Sequence, residues 1–122
     1  MDELPRYFTA PEAAHVTGID ERKIRNWQLA GLIRKATTKG ALQYHRADVI
    51  RCSVLSWLQL VFGEHSTLAF ELAQALTPDQ LDEILAADAP RVEIALRGLV
   101  FKVQLIGTQI AQVRERMQGV LL

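Results

Sequence analysis

The chain has 122 residues, 49% of them hydrophobic, enough to bury a sizeable core and too apolar for a disordered chain. Fourteen basic residues balance fourteen acidic ones, so the overall charge gives no sign of a polyanionic partner. A single cysteine excludes an internal disulfide. No secretory leader opens the chain, and Arg97 and Lys102 break the most hydrophobic region well short of the roughly 20 residues of a membrane span, so a soluble cytoplasmic protein is expected.

Thr9-Ala10-Pro11-Glu12 has the form of a helix start, because the threonine and the glutamate three residues on can satisfy each other's orphan N–H groups; a short helix to about Val16 follows. Thr17-Gly18 is a turn. Asp20 caps a second helix, with Ile24, Trp27 and Leu29 expected to face inward and Gly31 to end it. Leu32-Ile33-Arg34 and Ala41-Leu42-Gln43-Tyr44 are expected as two short strands around a basic loop, residues 35–40, the shape of a wing. A third helix runs from about Arg46 to Phe62 and stops at Gly63. His45 stands at its start.

Ser66 or Thr67 caps a helix to Leu76, and Thr77-Pro78-Asp79-Gln80 opens another to about Ala87; these two are expected to pack as a pair. From Arg91 two patterns compete. As a helix, Val92, Leu96, Leu99, Val103, Ile106, Ile110, Val113 and Met117 form a coiled-coil seam, but Gly98 and Gly107 then sit inside it at about 1 kcal/mol each. As a hairpin turning at Arg97-Gly98, Leu96 meets Leu99, Ile94 meets Phe101 and Val92 meets Val103, while Glu93 faces Lys102. The hairpin accounts for more residues, with a helix from Thr108 to Gly119 after it. The expected fold is therefore mainly α with a small β wing, in two parts, residues 1–63 and 64–122.

Charge separates the two parts. Met1 to Cys52 has nine Lys/Arg against six Asp/Glu, and the remainder five against eight. From Arg22 to Arg46 there are seven basic residues and no carboxylate, a local positive surface suited to nucleic acid. Two crossing helices also need small residues at their approach and an aliphatic residue between them, and Ala14, Gly18 and Ile24 supply these at helix-turn-helix offsets.

Five landmarks then fall in order: Tyr7-Phe8-Thr9, Thr17-Gly18-Ile19, Ile24-Arg25-Asn26-Trp27, Gly31-Leu32, and Tyr44-His45-Arg46-Ala47-Asp48-Val49. Over Tyr7 to Leu55 the chain resembles the MerR family of bacterial regulators. The resemblance implies a winged helix-turn-helix whose second helix enters the major groove and whose wing touches the backbone. It puts Arg22, Lys23, Arg25 and Asn26 against DNA, the last where the family has a phosphate-contacting tyrosine, and Arg34, Lys35 and Lys39 on the wing; the expected DNA-binding surface is the whole stretch to Arg46, which is included as a contact. Two features depart from the family: Leu42-Gln43 replaces an arginine before Tyr44, and an acidic, mixed segment replaces the long dimerising helix.

His15, His45 and His65 have no metal-ligand spacing, Cys52 has the setting of a small buried residue, and no nucleophile, phosphate loop or carboxylate pair emerges, so neither an enzyme nor a cofactor is expected. The expected function is sequence-specific binding of double-stranded DNA by a bacterial or phage transcriptional regulator, a dimer through residues 64–122. The alternatives are a protein-interaction module of the antitoxin or adaptor type, and a phage excisionase or packaging protein.

Overall fold

The structure is a computed structural model that describes residues 4–38, 41–87, 91–105 and 107–120. Among these the chain is mainly helical, with six helices, a three-stranded and a two-stranded antiparallel sheet. Helix α1 (Ala10–Thr17) starts on the expected reciprocal cap, with Glu12 N–H donating to Thr9 Oγ1 at 3.3 Å and Thr9 N–H to Glu12 Oε1 at 2.8 Å. It ends at Gly18, whose φ of 72° lies in the left-handed region that glycine adopts without strain. Helix α2 (Glu21–Leu29) is capped by Asp20, which accepts from Arg22 N–H at 2.8 Å. It closes through left-handed Gly31, with Leu32 N–H donating to Trp27 O and Gly31 N–H to Gln28 O, a Schellman closure that folds Leu32 back onto Trp27.

That closure explains two departures from expectation. Leu29 is 80% exposed rather than inward-facing, since it lies two residues, about half a turn, beyond Trp27 and so opposite the Ile24–Trp27 face. The first wing strand starts three residues late. Leu32 and Ile33 are buried in the core, Arg34 N–H donates to Asp48 Oδ2 at 3.3 Å, and the ladder begins only at Lys35. Strands β2 (Lys35–Thr38) and β3 (Ala41–His45) pair with Lys35 opposite Tyr44, and a strand not foreseen, β1 (Tyr7–Phe8), adds to the other edge of β3 with Phe8 opposite Tyr44.

Helix α3 (Arg46–Phe62) starts with His45 Nδ1 accepting from Ala47 N–H at 3.1 Å and stops at Gly63. From Val49 to Leu55 every residue is buried, so this stretch is surrounded on all sides. Helices α4 (Thr67–Ala75, capped by Ser66) and α5 (Pro78–Ala86, with the Thr77/Gln80 reciprocal cap) both pack on α3, and strand β4 (Arg91–Leu96) lies across both. Strand β5 (Leu99–Gln104) pairs with β4 in the expected register, including Glu93 opposite Lys102, around a turn in which Arg97 and Gly98 both have positive φ. Residues 91–104 are thus extended, and the coiled-coil alternative does not apply to them. Helix α6 (Gly107–Val120) packs on α1 and α5 through its buried Ile110, Val113 and Met117. One apolar cluster runs from Leu4 to Met117. No helix among the described residues is long and apolar enough to cross a membrane.

A charged side chain lies within this core. Arg51 projects from α3 under the end of α4, with Nη1 at 2.8, 3.2 and 2.7 Å from the carbonyl oxygens of Ala73, Gln74 and Leu76, and Nε 3.4 Å from Asp48 Oδ1. Helix C-terminal carbonyls lack intrahelical partners, and buried ones are costly unless paired. Arg51→Met keeps the aliphatic length but removes every one of these bonds, so we expect it to lower the unfolding free energy by about 3 kcal/mol in urea titrations. Arg22→Ala, at an exposed position, should change it by less than about 0.5 kcal/mol.

Candidate nucleic-acid interface

The outer side of helix α2 is polar except at its last residue, the exposed Leu29. Ile24 and Trp27 turn into the core, which leaves Arg22, Arg25 and Asn26 exposed and Lys23 half-buried. Its angle to α1 is set by the turn between them: Gly18 N–H donates to Ala14 O at 2.9 Å, and Thr17 Oγ1 both donates to Ala13 O at 2.7 Å and accepts from Ile19 N–H at 3.2 Å. Of the three residues singled out for helix crossing, Ala14 and Gly18 bond to each other at the join between α1 and α2, and Ile24 is buried in the core.

Strand β3 is the central strand of the three-stranded sheet. Tyr44 is buried opposite Lys35, and burial first of all pushes its phenol up in pKa; the charge of Arg25 opposes that shift, and Cys52 and Glu21 add to it. Arg25 and Glu21 are thus near enough to Tyr44 to act on it electrostatically. Arg34 and Lys35 are exposed where β2 begins.

Not every expected cation joins the group. Arg46 turns away: its Nη1 donates to Leu4 O at 3.4 Å and its Nε lies 3.9 Å from Asp82 Oδ1, so it ties the N-terminal segment to α5 rather than facing outward with α2. The cause is its place in the first turn of α3, next to the strand pair of β1 and β3, where Arg46 N–H also donates to Arg6 O. Lys39 lies outside the described residues.

The stretch without carboxylates in sequence is not without them in space. Arg25 Nη2 pairs with Glu21 Oε2 at 3.1 Å, and Lys23 Nζ lies 3.9 Å from Glu64 Oε1 while standing 5.3 Å from the Trp27 ring centre. Asp20, Glu21 and Glu64 line the same open depression as Arg22, Lys23 and Asn26. The Glu21–Arg25 pair is an i,i+4 spacing visible in the sequence; Glu64, brought in by the end of α3, is not. Arg22, Arg34 and Lys35 have no carboxylate partner among the described residues. The described residues contain no cluster of three or more His, Cys, Asp or Glu that could hold a metal. No protein-family model matches the chain, and no curated protein matches it.

Cys52, on the buried stretch of α3, is not a reactive thiol. Burial first, and the charge of Asp48 second, push it up to about 12, against a smaller opposing effect of Arg51. An unfolded thiol ionises near pH 8.5, so between there and about pH 12 the unfolded chain binds fewer protons than the folded one and stability falls as pH rises. The urea midpoint of the protein should therefore drop more steeply above pH 9 than that of Cys52→Ala, and below pH 8 the two should run parallel.

Proposed function

We propose that the protein binds double-stranded DNA through a winged helix-turn-helix, α2 entering the major groove and the β2–β3 hairpin resting on the backbone, and that it acts as a dimeric transcriptional regulator of the kind the MerR resemblance implies. The observation that carries this is the partition of α2: Ile24 and Trp27 anchor it, and Arg22, Arg25 and Asn26 are left on one exposed face, while Arg34 and Lys35 are exposed after it in the chain. Guanidinium groups and a carboxamide are the side chains that pair with guanine and adenine edges, and lysines flanking them neutralise phosphates. The carboxylates at the rim lower the affinity for arbitrary polyanions, since a phosphate must displace Glu21 from Arg25.

One such head spans too few base pairs for high specificity, and two heads on two half-sites remedy this. The C-terminal part supports self-association. Strand β5 is the outer strand of its hairpin, Leu99 and Val100 are 62% and 60% exposed, and an unpaired apolar edge is a template for another strand. The same edge is the feature that favours the second proposal, an adaptor whose C-terminal part docks a different protein.

In electrophoretic shift and fluorescence titrations, Arg25→Ala should weaken binding to a selected site by about 1 to 3 kcal/mol, and Lys35→Ala should reduce the salt slope by about one. Glu21→Gln should tighten binding. Salt-independent binding, or loss of folding in these variants, would count against the interface. In light scattering the protein should run as a dimer and Val100→Lys as a monomer with weakened DNA binding; a monomeric parent chain without DNA affinity would favour the adaptor.

A further inference from the structure

A small polar pocket of about 120 Å³ lies where the α1–α2 turn, the middle of α3 and the first turns of α6 meet. Thr17, Ser53, Ser56, Trp57, Gln109 and Arg116 are among its walls, and no carboxylate lines it. Two of its polar atoms are buried without a hydrogen-bond partner among the described residues, Ser53 Oγ and Gln109 Oε1. Ser53 is only 2% exposed, and a buried hydroxyl with nothing to bond costs about 1 to 3 kcal/mol, a feature that native chains retain at sites meant to be filled. Arg116 stands at the mouth. Its Nη1 lies 3.7 Å from where a Cβ on Gly18 would be, so the guanidinium hangs over the turn between α1 and α2, and it has no ion-pair partner among the described residues.

We infer that this pocket binds a small oxyanion, inorganic phosphate or a short-chain carboxylate. Two serine hydroxyls and the guanidinium are donors. The Gln109 carboxamide becomes a further donor when its ends exchange, an assignment that the hydrogen-bond partner dictates. A cation with five neutral polar side chains, Thr17, Ser53, Ser56, Gln109 and Gln112, and no acid selects against cations and for oxygen anions. The volume admits a tetrahedral oxyanion or a carboxylate with a few carbons. Trp57 closes one wall, so the ligand needs no polar group on that side. Bound there, the anion bridges Ser53 on α3 to Arg116 on α6 directly above the turn that sets the angle of α2. The binding itself does not depend on the DNA proposal; only its use as an effector does.

The full-length chain is titrated without DNA, at constant ionic strength, with phosphate, with acetate and with chloride as control, following tryptophan fluorescence, and with Trp57→Phe to assign the signal. The expected result is a saturable change with phosphate or acetate, absent with chloride and lost in Trp57→Phe, and a rise in Tm with the same ligand. Arg116→Gln, at an exposed position, and Ser53→Ala, which stays helix-compatible, should each weaken binding about tenfold while circular dichroism shows an unchanged fold. Saturation by phosphate alone identifies the tetrahedral anion, and by acetate alone the carboxylate. No saturable response to either up to about 10 mM, or equal binding by folded Ser53→Ala and Arg116→Gln, overturns the inference.

Discussion

A helix buried on every side must be paired with something on every side, and α3 between Val49 and Leu55 imposes that demand on the whole chain. The β1–β3–β2 sheet and α1 meet it at one flank, and α4 and α5 at the other. Its one charged member, Arg51, is tolerated in the core because it supplies hydrogen bonds where a helix end has only acceptors. The guanidinium therefore decides where α4 stops, and Thr77 begins α5 directly after it. The hairpin rests on α4 and α5, and the Arg97–Glu71 ion pair fastens its turn to α4. Much of the C-terminal architecture thus follows from how one side of α3 is covered.

The exposed face of α2 is the by-product of the same arrangement. Ile24 and Trp27 are taken by the core, Leu32 is folded back by the closure at Gly31, and what remains outward is polar apart from Leu29. The glycine turn and the Thr17 hydroxyl hold the start of α2, whose Arg22 and Arg25 stand exposed. On the proposed DNA-binding reading, the carboxylates paired with Arg25 and Lys23 must be displaced before either cation can meet a phosphate.

Local chemistry was legible in the sequence wherever a feature closes on itself within four residues. The reciprocal caps at Thr9/Glu12 and Thr77/Gln80, the Asp20 and Ser66 caps and the glycine stops all stand where residue types alone put them. The hairpin register was legible because only one turn position places apolar residues together on one face and Glu93 across from Lys102. What escaped depends on distant partners. Strand β2 starts late because Asp48 on α3 takes the Arg34 N–H, Arg46 turns inward because Leu4 and Asp82 are there to meet it, and Lys23 acquires Glu64 from beyond the end of α3. Residue type marks a side chain as basic; only the fold decides whether its charge faces solvent, a carbonyl or an acid.

The single apolar cluster from Leu4 to Met117 bears on how such a chain can diversify. Grafting the first 63 residues onto an unrelated tail would strip the cover from Val54, Leu55 and Leu58 and from the side of α1 that α6 occupies, so the two parts must be inherited together. Residues 22, 25, 26, 34 and 35 bury little and hold no core contact in place. If these positions carry the proposed recognition, drift there redirects it while the scaffold beneath stays constant.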